Sequence, residues 1–150
     1  MGKDIHTAIA IRNTETGYYD KIEIFNKKKD KYVSINPYNI RNHELFELLE
    51  NDIPWNQLHT TFLEPSFAKE IQEIQNTMGY FNFKEINLAD LRNYLMCNPT
   101  VLDYDNNGDE IIEKTSPLKF FIERIEYYIE FAGYEYYHPS DIYILYWFDN

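Results

Sequence analysis

Cysteine is nearly missing from this chain. Cys97 stands alone, which excludes an intramolecular disulfide and any zinc site built on several thiolates. Glycine is scarce and scattered, at Gly2, Gly17, Gly79, Gly108 and Gly133, so no glycine-rich phosphate loop exists. No apolar run approaches the ~18 residues that cross a membrane, and the opening MGKDIHTAIAIR lacks the pattern of a secretory signal. Bases are outnumbered, 14 Lys and Arg against 25 Asp and Glu, for a formal net charge of −11. A body this acidic repels phosphate backbones and argues against direct nucleic-acid binding. The expectation is one cytoplasmic domain spanning 1–150, with no membrane partner.

Aromatic side chains, by contrast, are abundant. They make up 17% of the chain, 14 of them tyrosine, and 44% of residues are hydrophobic, enough for one real core. Charge is unevenly spread. Residues 1–41 hold eight bases and five acids, and residues 42–150 hold six bases and twenty acids. The lysine cluster 27–31 falls where a hairpin turn belongs, and a turn of this kind is ordinarily solvated.

Period-two patterning predicts strands first. In 4–12, Ile5, Ile9 and Ile11 face one way and Ala8 and Ala10 the other, so a neighbour packs closely on the alanine side. Residues 18–25 alternate again, and 31–35 make a short third strand, giving an antiparallel meander. Helices are predicted over 42–50, capped by Asn42, from Pro65 to Met78, over 87–96, capped by Asn87, and from Ser116-Pro117 to Ala132. Residues 51–64 read as irregular and 80–86 as a short strand or connector. In 142–148 both faces are apolar, which marks a central strand, beside 4–12. The expected fold is α+β: an antiparallel sheet from an N-terminal meander plus a central C-terminal strand, with three to four helices packed on it.

Three groups of residues suggest chemistry. Asp103, Asp105, Asn107 and Asp109, with Gly108, spell the first half of a calcium loop. The twelfth position of that loop is Lys114, where a bidentate acid is required, so a polar turn competes with a metal site. Asp4 and His6 share a strand face, and Asp149 ends the last strand. If those strands are neighbours, the three form either a metal-binding or general-base cluster or a structural pin on the chain ends. No cofactor is implied beyond a divalent metal at one of these places. Tyr134, Glu135, Tyr136, Tyr137 and His138, together with Tyr127 and Tyr128 and with Glu130 before them, make an aromatic and acidic patch. Tyrosine suits protein interfaces, and core packing is the competing explanation.

The ends and two internal segments carry a resemblance. Met1-Gly2-Lys3-Asp4-Ile5-His6, Arg41-Asn42-His43-Glu44-Leu45-Phe46, Ile86-Asn87-Leu88-Ala89-Asp90-Leu91 and the closing Phe148-Asp149-Asn150 are similar to a group of small phage and mobile-element proteins. Those proteins open Met-Gly-Cys-Asp-Ile-His and end in an apolar strand with Phe-Asp-Asn. Lys3 stands where they carry cysteine, so no thiol role carries over. The resemblance implies a phage or mobile-element origin. By analogy it implies an inhibitor of a host defence protein, for example a CRISPR or restriction nuclease, held through its basic surface. The alternatives are a small metal-assisted hydrolase or ligand-binding protein using the terminal cluster, and a phage assembly protein.

Overall fold

The computed structural model describes residues 4–34, 38, 40–78, 83–104, 108 and 111–149. Strand β1 (Asp4–Arg12) turns into β2 (Tyr19–Lys21), and the chain then forms the hairpin β3 (Glu23–Asn26) and β4 (Lys31–Ser34). Helix α1 (His43–Glu47) runs on as a wider π turn over Leu48–Asp52. Next come β5 (Asn56–Gln57), α2 (Pro65–Met78), β6 (Lys84–Asn87) and α3 (Leu88–Cys97). A second hairpin, β7 (Thr100–Tyr104) and β8 (Ile111–Thr115), leads into α4 (Pro117–Phe131), and β9 (Ile142–Asp149) follows.

The fold is α+β, with four helices packed on an antiparallel five-stranded sheet in the order β2-β1-β9-β6-β5. β9 lies inside the sheet, as its two apolar faces require, and pairs along β1 from Asp4 opposite Asp149 to Ile11 opposite Ile142. On one face Ile5, Ile9, Ile86, Ile142, Ile144, Tyr146 and Phe148 meet α1, α3 and α4. On the other, Ala8, Ala10, Leu145 and Trp147 meet Phe67 and Ile71 of α2.

Helix starts follow local chemistry. Asn42, Asn87 and Ser116 accept hydrogen bonds from Leu45, Ala89 and Leu118 backbone N–H groups, and Pro117 begins α4. The expected strand 18–25 divides at Ile22, whose N–H donates to the Ile9 carbonyl at 2.9 Å. Beyond it the chain leaves β1, and β3 pairs with β4 alone. Alternation sets which way side chains face but not which strand lies alongside. Within 51–64, read as irregular, β5 forms a two-residue sheet edge.

Tyr146 joins sheet and helices. Its ring is fully buried and its hydroxyl donates to the Leu49 carbonyl at 2.8 Å, in the π turn after α1. Tyr146→Phe strands that buried carbonyl, and is expected to cost about 1–2 kcal/mol in urea unfolding at unchanged m-value. No loss would mean that the bond carries no net stability.

Candidate functional site

The strand-end residues do come together. Asp4 and Asp149 occupy opposite places on the terminal rung of β1 and β9. His6 Nε2 donates to Asp149 Oδ2 at 2.5 Å, and Arg41 Nε donates to Asp4 Oδ1 at 2.7 Å. The Arg41 hydrogen bond and charge hold the Asp4 carboxyl below its usual range. Trp147, opposite His6, stacks on the imidazole with centroids 5.7 Å apart, and Phe83 stacks on Trp147 at 4.9 Å. Asp149 therefore fixes the imidazole, an arrangement that orients a proton-transfer histidine and equally ties the chain ends. Among the described residues no three His, Cys, Asp or Glu side chains are grouped to hold a metal ion.

The calcium-like loop is only partly in view. Asp105, Asn107 and Asp109 lie outside the described residues. Asp103 is held by Lys114 Nζ at 2.7 Å, and the same ammonium reaches Glu44 at 2.8 Å. The lysine that replaces the loop's last acid thus neutralises its first one.

The tyrosine patch divides by burial. Tyr134 and Tyr137 pack against the larger core, and burial pushes both hydroxyl pKa values up. Tyr136 is 94% exposed, and Glu130 and Glu135 are exposed as well. Glu135, Tyr136, Tyr137 and His138 line a shallow hollow of about 410 Å³.

The sequence reading joins Tyr127 and Tyr128 to this patch; on the outer side of α4 the structure displays Tyr127 and adds Phe120 and Phe131, which sequence reasoning did not single out. Leu118, Phe121, Ile122, Ile125 and Ile129 turn inward. Phe120, Tyr127 and Phe131 remain exposed, and the last two stack at 6.0 Å with planes 20° apart. Aromatic residues at i, i+7 and i+11 outside the buried stripe were the available signal. Around them stand Glu123 and Glu130, both exposed, whereas Glu126 is taken by Arg92 at 2.5 Å.

One buried acid also escaped notice. Glu85 of β6 lies on the α2 side, where burial pushes its pKa up. His59 faces it with backbone N and ring Nδ1, each at 3.4 Å.

No helix of the described residues is long and apolar enough to cross a membrane. Comparison with family models, curated proteins and solved structures found no match.

Two of the shifted acids, Glu85 and Asp4, act oppositely on stability. Between the ordinary glutamate pKa and the raised one, folded Glu85 holds a proton that the unfolded chain has lost, so stability falls as pH rises through that window. Asp4 adds stability above the ordinary aspartate pKa, lost as pH falls through its lowered one. Glu85→Gln should therefore gain more stability relative to wild type at neutral pH than at about pH 4, read from urea midpoints. A pH-independent difference would place Glu85's proton elsewhere.

Proposed function

We propose that this protein is a non-enzymatic binding protein that occupies a basic surface on another protein, through the outer face of α4 and the following tyrosine loop. The observation that carries the reading is the exposed Tyr127–Phe131 stack with Glu123 and Glu130 on the same side of α4, followed along the chain by the exposed Glu135 and the 94% exposed Tyr136. Large aromatic surfaces supply contact area at low entropy cost, and acids around them select a cationic partner and speed its approach. The resemblance of the chain's ends to phage and mobile-element proteins supports a specific target, a host defence protein such as a nucleic-acid-cleaving effector. A basic groove built for nucleic acid is the surface that an acidic protein of this kind complements.

The His6–Asp149 pair supports a second reading, a small hydrolase with His6 as general base. It requires turnover that His6→Ala abolishes while the fold persists.

The binding reading is tested by capture from bacterial lysate with wild type and the triple variant Glu123→Lys, Glu130→Lys, Glu135→Lys. Wild type should retain one stoichiometric partner that elutes as salt rises, and the variant should bind it at least about tenfold more weakly. Equal affinity for both would sink the electrostatic interface.

A further inference from the structure

We propose that the α4 face recognises arginine side chains in particular, stacking guanidinium planes on Tyr127 and Phe131 and pairing them with Glu123 and Glu130. This rests on the binding reading above and names the chemistry of its partner: an exposed, arginine-bearing segment of a protein.

The geometry supports it in two ways. Glu123, Tyr127 and Phe131 follow one another at four-residue steps, and Glu130 lies three residues after Tyr127, so all four share one side of α4. Two nearly parallel rings thus stand beside two carboxylates, and among the described residues neither Glu123 nor Glu130 has an ion-pair partner. The protein also performs both halves of this recognition with its own arginines, one step around the same helix. Arg92 reaches the two Glu126 oxygens with Nε at 3.3 Å and Nη2 at 2.5 Å. The Arg124 guanidinium lies over the Tyr128 ring, 5.4 Å from its centroid. Glu123, Tyr127, Glu130 and Phe131 repeat that set of carboxylate acceptors and ring faces, with no internal arginine on it among the described residues.

Arginine fits where lysine does not. Its guanidinium is planar, weakly hydrated and forked, so it stacks on a ring while presenting paired N–H groups to a carboxylate. A lysine ammonium is a compact, strongly hydrated charge, and attraction to this face by charge alone would not distinguish the two.

The test compares two fluorescent peptides of equal length and charge, one with four spaced arginines and one with lysines at the same positions. Binding is read by anisotropy at moderate salt. Wild type should prefer the arginine peptide by about tenfold, from two ring contacts. Tyr127→Ala with Phe131→Ala should remove the preference while leaving weak, salt-sensitive binding of both peptides. Both side chains are more than half exposed and alanine favours helix, so this variant is expected to fold. Equal binding of the two peptides by wild type overturns the arginine inference and leaves the binding reading standing. A preference that survives in the double variant also overturns it, by placing recognition elsewhere. No binding of either peptide overturns the binding reading and the inference with it.

Discussion

The structure depends on one strand having no solvent side. β9 must be covered on both faces and along both edges, and the rest of the chain is arranged to do so. β1 and β6 take its edges, α1, α3 and α4 cover one face, and α2 covers the other. The demands on β1 differ on its two sides. Isoleucine packs under three helices, and alanine lines the side that the large Phe67 and Ile71 of α2 cover. Because β1 and β9 come from opposite ends of the sequence, their ladder closes across nearly the whole chain. The central pairing therefore carries a large loop-closure cost and favours slow folding.

That same pairing explains the charged residues at the strand ends. An antiparallel register ending with Asp4 opposite Asp149 sets two like charges face to face, which alone destabilises a sheet. Each acid has a separate nitrogen partner, Arg41 for Asp4 and His6 for Asp149. Arg41 draws the Asp4 carboxylate to its own side of the rung, so the cluster is divided into two pairs. This division accounts for every member of the cluster through the needs of the sheet. A catalytic role for His6 must be added to that explanation, whereas the exposed face of α4 has no structural demand to explain it.

Legibility in the sequence followed the physical reach of each signal. The two apolar faces of β9 pointed to its central place, and β1 and the caps at Asn42, Asn87 and Ser116 were readable because each rests on local periodicity or one short hydrogen bond. The break at Ile22 was not readable, since alternation is the same whichever strand lies alongside. β5 was not readable because two residues carry no pattern. In the tyrosine loop, Tyr134 and Tyr137 turn inward while Tyr136 is displayed, and a loop has no period from which to sort them. The pairing of Asp149 with His6 was legible only as a condition on strand order. Glu85 was invisible because burial of an acid depends on what the sheet and His59 place around it.

The charges of α4 run against the helix they belong to. A helix is favoured by acids in its first turn and bases in its last, by about 0.3–1 kcal/mol for each well-placed charge. α1 and α3 follow this rule at their starts, with Glu44 and Asp90. α4 has no acid in its first turn and no base in its last, but carries Lys119 near its start and Glu130 near its end. Stability of the helix therefore does not account for where these charges stand. Core packing accounts for Phe120 in part, since its ring meets the buried Tyr38 ring edge-on, but not for Tyr127 and Phe131, because five other side chains already fill the buried side. What α4 gains from its buried stripe is rigidity, so the outer residues are displayed from a fixed backbone and little ordering remains to oppose association. Acids set against the dipole and aromatic rings set against solvent are costs with no return inside this chain, and contact with a cationic partner offsets both at once.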